Sequence, residues 1–300
     1  MKKPDKRITR GEKIFIALDY AVLFFLAVVI LLPLFAVLST SMVSAAEVAR
    51  RGQFILWPEQ LDFTSYRMLL GRGSSMWHAY QNTLLIVGAG TALDLIMTLS
   101  MAYPLSKKAL KGRIAVLGMV FVTMLFNGGL IANYMWYKRI GLLNTRWVLI
   151  VPGLISAWNM LLMRNFFYAI PESLEEAAYL DGAGVMRTIV SVVLPLSLPS
   201  IATIGLFYAV GHWNAWFGGV MFITDNSKLP VQNLLRTIIT EATASLQDSD
   251  LSNLDDATQM PTAQTIKNAA IVISTVPILC VYPFIQKYFV KGVMVGSVKG

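Results

Sequence analysis

The chain has 300 residues with a formal net charge of +8; 56% of the residues are hydrophobic and only 14% charged, and mean hydropathy is +0.60. These proportions exclude an ordinary soluble domain, a disordered chain, a collagen-like repeat and a disulfide scaffold. The apolar residues lie in blocks long enough to cross a bilayer, so an all-α membrane protein with several spans is expected.

Residues 1–13 form a basic N-terminus, and six segments then approach the ~20 residues that a helix needs to cross the hydrocarbon core. The first runs over 14–38. A basic start before an apolar run also describes a signal peptide, with Val43-Ser44-Ala45 as its cleavage site, but the run is longer than a typical signal core and favours an uncleaved helix. The next spans are expected at 82–103, 114–135, 147–168, 199–223 and 268–289. Loops 39–81 and 224–267 are long and mixed in composition, and read as partly ordered extracytoplasmic surface. Asp94 falls mid-span, where a carboxylate is costly unless paired or hydrated, so it is expected to face the bundle interior, either in transport or in binding another helix. The cluster Gly88-Ala89-Gly90 in the same span fits a close helix–helix contact. Cys280, the single cysteine, lies in the last span and can form no internal bridge.

Charge sets the orientation. With six spans both termini share a side, and that side carries fifteen of the Lys and Arg residues. Six of them precede the first span, and Lys107, Lys108, Lys111 and Arg113 follow the second. The opposite side has ten, spread over longer loops. Positive charge is retained in the cytoplasm, so both termini are expected there, in a bacterial-type inner membrane. The basic balance then reports topology, and no nucleic-acid partner is required.

The long cytoplasmic connection 169–198 has a pattern of its own. Pro171 suits the first position of a helix, and Glu172 and Glu175 lie where the helix dipole favours negative charge. Leu174, Ala177 and Ala178 share a face on which the two alanines allow close approach of a partner. Gly182 can turn the chain, and a second apolar helical stretch ends near Leu194-Pro195. A helix–turn–helix on the cytoplasmic face is expected.

Glu176-Ala177-Ala178, Gly182, Val192 and Leu194-Pro195, at these spacings, resemble the EAA loop of permease subunits from binding-protein-dependent ABC importers. Val192 stands where the family usually has Ile. The tail from Gln286 to Gly300 is similar to the end of the six-helix subunit of maltose- and oligosaccharide-type permeases, as are the Asn82-Thr83 start and the Ala102-to-Ser106 exit of the second span. The resemblance implies a permease domain over 14–290, including the 169–198 coupling loop, and a cytoplasmic tail over 291–300. It implies that Glu176, Ala177, Ala178, Gly182, Leu194 and Pro195 couple to an ATPase, and that Gly296, Val298, Lys299 and Gly300 reach into the ATPase dimer. The implied partners are a second related permease, two ATPase subunits and an extracytoplasmic sugar-binding protein, and the implied activity is carbohydrate import by alternating access. A basic tail containing glycine also fits a simple membrane-surface anchor.

The chain itself has no Gly-x-x-x-x-Gly-Lys-Ser/Thr phosphate cradle, so ATP hydrolysis is assigned to a partner and the chain is not expected to be an enzyme. No nucleophile elbow and no metal-ligand spacing is visible, and no cofactor is expected. A sugar path needs amide or hydroxyl groups beside aromatic planes. Tyr208, His212, Trp213, Asn214 and Trp216 supply these in the fifth span, and Asn127, Trp158 and Asn159 in the third and fourth. For Trp213 and Trp216 an interfacial aromatic belt is an equal alternative. Import of a non-sugar solute by the same machinery, or ion-coupled carriage, are the competing functions.

Overall fold

The computed structural model describes residues 10–71, 73–248 and 261–297, and every regular element among them is helical. The chain divides into two compact units, residues 1–71 with 238–273, and residues 72–237 with 274–300.

In the first unit α1, Arg10–Thr40, contains Pro33 and exposes large apolar side chains along most of its length, Phe24 at 72% and Leu31 at 59% among them. At ~1.5 Å per residue it is longer than the ~30 Å hydrocarbon core. Two short helices follow, α2 (Ala45–Arg51) and α3 (Thr64–Leu70). The segment between them is ordered by polar ties. Thr40 Oγ1 donates to the Ile55 carbonyl and accepts from the Ile55 amide, at 3.3 and 3.2 Å. The buried Glu47 carboxylate accepts from Arg51 Nη1 at 2.7 Å and from the Glu59 amide at 3.0 Å, as a buried charge requires. Ser65 Oγ donates to Thr265 Oγ1 at 3.0 Å.

The second unit holds α4 (Ser75–Ser106), α5 (Arg113–Leu125) and α6 (Gly129–Arg139), then two turns of 3₁₀ helix at Arg146–Leu149 and Val151–Gly153, and α7 (Ala157–Tyr168). Next come α8 (Glu172–Leu180) and α9 (Val185–Thr188), which runs through a π turn at Ile189–Val193 into α10 (Leu194–Leu196). Helices α11 (Leu198–Asn214) and α12 (Phe217–Phe222) complete this run. Helix α13 (Val231–Asp248) and helix α14 (Ala263–Ser297) are the last described elements. The core of this unit is a seam of α4, α7 and α11, built on Ala102, Leu105, Met160, Met163, Phe167, Ile204 and Tyr208. Lipid tails are as apolar as these side chains, so close packing rather than water exclusion holds such a seam. Small residues permit it: a Cβ on Gly205 would stand 3.2 Å from Leu95 Cδ1.

Several expected spans differ in detail. The second is longer at both ends: Ser74 Oγ caps the start of α4 by accepting from the Met76 amide, and the helix runs on to Ser106. The expected continuous helix over 114–135 breaks after Leu125, and α5 and α6 meet at 111°. The break is local chemistry: Gly129 is at φ +81°, and Asn127 Oδ1 accepts the Gly129 amide at 2.9 Å in place of a helical carbonyl. The fourth segment begins in 3₁₀ turns and bends by 48° before α7. The fifth stops at Asn214 and resumes as α12, with extended backbone at Ala215. Helix α14 continues to Ser297, through much of the expected tail. Among the described residues three helices are long and apolar enough to cross a membrane, or up to six spans if each bent pair is one.

Candidate functional site

The first candidate region is the helix–turn–helix at 172–196. Pro171 is the residue before α8 rather than its first, with extended ψ, and Glu172 and Glu175 occupy the first turn. At the far end Gly182 lies at φ +81°, and the Gly182 and Ala183 amides donate to the Tyr179 and Ala178 carbonyls at 3.0 and 2.9 Å. This left-handed exit closes the orphan carbonyls of α8 and points the chain into α9. Helix α8 packs against α9 and the π turn. Glu176 and Ala177 are exposed and Ala178 is half-buried, while Leu180 is 89% exposed. Leu194 is half-buried and Pro195 exposed.

Residues outside the sequence motif fix this helix to the bundle. The Glu175 carboxylate is buried, pairs with Lys107 Nζ, and accepts the Tyr103 hydroxyl at 3.1 Å. Lys107 Nζ also lies 4.9 Å from the Tyr103 ring centre. Helix α4 therefore grips α8 at its first turn. A cavity of about 620 Å³ opens beside this clasp, lined by Tyr103, Lys107, Lys108, Glu172, Glu175, Glu176 and Tyr179 among others. From the sequence alone Glu175 reads only as a helix-dipole partner and Lys107 only as a topology charge, because their pairing spans 68 positions.

The second region is the polar seam where α4 meets α11. His212 Nε2 lies 2.7 Å from Asp94 Oδ2, with Asp94 fully buried and its Oδ1 without a hydrogen-bond partner. Gly90 makes room for the ring: a Cβ there would stand 2.6 Å from Nε2. Of the glycine cluster expected to form a close contact, Gly90 makes it and Gly88 faces open space. One turn of α11 earlier, the Tyr208 hydroxyl bonds Thr98 Oγ1 at 2.7 Å and accepts the Ser156 amide at 3.1 Å, tying three elements at one atom. Trp213 is buried, its ring centre 6.4 Å from that of Tyr80, with its indole Nε1 unpartnered.

The remaining sequence candidates are dispersed. Asn214 is exposed and donates from Nδ2 to the Val210 carbonyl at 3.0 Å. Trp216 carries the Arg236 guanidinium 3.9 Å above its ring. Asn159 is buried, Trp158 is 65% exposed, and Asn127 is exposed in the α5–α6 break. Gly296 belongs to α14, whereas Val298, Lys299 and Gly300 lie outside the described residues. Among the described residues no group of three or more His, Cys, Asp or Glu side chains could hold a metal ion.

The described residues thus join a helical seam of α4, α7 and α11 to a helix–turn–helix at 172–196. Residues 11–295 match the family described as binding-protein-dependent transport system inner membrane component, and the chain belongs to it. It is 40% identical over 289 residues to the polygalacturonan/rhamnogalacturonan transport system permease protein YtcP of Bacillus subtilis, covering 96% of this chain and 99% of that one. It is 26% identical to the diacetylchitobiose uptake system permease protein NgcG of Streptomyces coelicolor, over 96% and 90% of the two chains. The fold is similar, with TM-score 0.82 and 32% identity over 94% of this chain and 98% of the other, to a chain in the crystal structure of a bacterial ABC transporter involved in the import of the acidic polysaccharide alginate.

Proposed function

We propose that the chain is the permease subunit of an ATP-driven importer of sugars, most simply oligosaccharides. The observation that carries this reading is likeness over nearly the whole chain, in sequence and in fold, to permeases named for saccharide import. The transporter is then completed by a second related permease, two ATPase subunits and an extracytoplasmic sugar-binding protein. Six spans are assigned to α1, α4, the α5–α6 pair, the 146–168 pair, α11 with α12, and α14, with both termini in the cytoplasm. The 169–198 segment is the EAA coupling loop, in which α8 seats in a groove of one ATPase through Glu176, Ala177, Ala178 and Gly182, backed by Leu194 and Pro195. Residues 291–300 enter the ATPase dimer.

In this mechanism ATP closes the two ATPases, the load falls on α8, and the Glu175–Lys107–Tyr103 clasp passes it to α4. Helix α4 moves with α11, to which Asp94–His212 and Thr98–Tyr208 bind it. The bundle thereby turns its cavity outward to accept sugar. Tyr208, His212, Trp213, Asn214, Trp216, Asn127, Trp158 and Asn159 are the sugar-path candidates. Reconstitution tests the reading: uptake of a labelled oligosaccharide into proteoliposomes should require the ATPase, ATP and the binding protein together. Uptake that persists without the ATPase and follows an ion gradient would establish a secondary carrier instead.

A further inference from the structure

A second cavity, of about 290 Å³, lies in the other half of the same unit and is lined by Leu85, Asn144, Arg146, Trp147, Ile150 and Lys228 among others. Positive-inside counting puts Arg146 and Lys228 on the extracytoplasmic side, where a binding protein would release its cargo. The walls are fixed by an unusual residue. Asn144 is the one described non-glycine at positive φ, +57°. Its amide donates to the Phe222 carbonyl at 2.8 Å, its Oδ1 accepts the Thr224 and Asp225 amides at 3.2 and 3.0 Å, and its carbonyl accepts Lys228 Nζ at 3.0 Å. Asparagine tolerates the left-handed region, and four bonds hold it there.

The guanidinium is aimed by a second buried amide. Asn82, 4% exposed, donates through Nδ2 to the Ser227 and Leu229 carbonyls at 2.7 and 3.1 Å, and its Oδ1 accepts Arg146 Nε at 2.8 Å. With Nε engaged, the two terminal nitrogens of the fork are free to take a planar anion. Among the described residues no carboxylate lies within ion-pair distance of Arg146. Lys228 is different, for its Nζ lies 3.1 Å from Asp225 Oδ2. Hydrogen bonds from Ser227 and Lys228 lower the Asp225 carboxyl to about 2, so it is ionised and offsets the lysine. One uncompensated, oriented positive charge therefore faces the cavity, with the 52% exposed Trp147 as an aromatic wall.

We infer that this cavity binds the carboxylate of an acidic sugar unit, with Arg146 as its fork-shaped partner and Trp147 against an apolar face of the ring. A neutral sugar can offer the guanidinium only single hydroxyl acceptors, whereas a uronate neutralises its charge and pairs with it in two parallel hydrogen bonds. The volume, just below the ~300–1,000 Å³ of small-ligand sites, suits a station for a short stretch of chain rather than a cavity for a long one. The inference deepens the sugar-import reading and rests on it. Two of the relatives described above are named for galacturonan and alginate, which are acidic polymers.

The test uses the complete transporter in proteoliposomes, with its own binding protein, and compares uptake of an oligogalacturonate with that of its partly methyl-esterified counterpart. Arg146→Gln should lower the ratio of acidic to esterified uptake roughly tenfold or more, the scale of a lost charged hydrogen-bond pair. The ratio is read within one preparation, so a smaller yield of assembled protein cancels. Arg146→Lys, which keeps a point charge without the fork, should fall between wild type and Arg146→Gln. An unchanged ratio in both variants overturns the inference and leaves sugar import standing. Equal loss of both substrates, with more binding protein needed for half-maximal rate, would make Arg146 a docking residue for that protein and likewise overturn it. A wild-type transporter that moves neither compound, while taking up a labelled neutral oligosaccharide with ATPase, ATP and binding protein, overturns this inference and leaves sugar import standing; uptake of no saccharide at all removes both.

Discussion

Replacing Gly90 with alanine tests whether the α4–α11 seam depends on one hydrogen bond. The new Cβ would stand 2.6 Å from His212 Nε2, 2.9 Å from Cε1 and 3.0 Å from Cδ2. Ordinary contact begins near 3.4 Å, so the ring must withdraw by about 0.8 Å, and the 2.7 Å bond to Asp94 then stretches to as much as about 3.5 Å, beyond useful hydrogen-bonding range. Asp94 is fully buried and its Oδ1 already lacks a partner, so the carboxyl is left with nothing. The expected destabilisation is about 1–3 kcal/mol, against a small helix-propensity gain from Gly to Ala. Reversible unfolding of the purified transporter in detergent micelles measures it. In a His212→Ala background the ring is absent, and Gly90→Ala should cost less than about 0.5 kcal/mol, giving a coupling energy near the whole single-mutant effect. A Gly90→Ala variant as stable as wild type, or additivity of the two substitutions, would refute the reasoning.

Four further outcomes are expected. Tyr208→Phe strands the Thr98 hydroxyl and the Ser156 amide, and should destabilise the seam by about 1–3 kcal/mol in the same unfolding measurement. Glu175→Ala should lower sugar transported per ATP several-fold while ATPase activity survives, and the reversal Lys107→Glu with Glu175→Lys should recover more coupling than either single change; equal coupling in all variants removes the clasp from the mechanism. Gly182→Leu meets no neighbour but forces a branched side chain into φ +81°, so it should leave membrane insertion intact and abolish ATP-driven uptake. A cysteine at position 180 should be labelled only from the cytoplasm and one at 245 only from outside, and labelling of both from one side would contradict the six-span topology.

Hydropathy determined the broad class of this protein, because crossing a bilayer demands long apolar helices whose backbone bonds close internally. Local rules likewise located α8 and its glycine exit, since dipole, cap and left-handed turn act within a few residues. The bends at Asn127–Gly129 and Ala215 were not legible, because apolar composition continues through them while hydrogen bonding changes. What only the tertiary structure decided is partnership. Asp94 was expected to face inward, but its match to His212 across 118 positions, like those of Lys107 with Glu175 and Asn82 with Arg146, arises when antiparallel helices and returning loops bring distant residues side by side. A residue type announces that it needs a partner, and the packing of the chain chooses which one it receives.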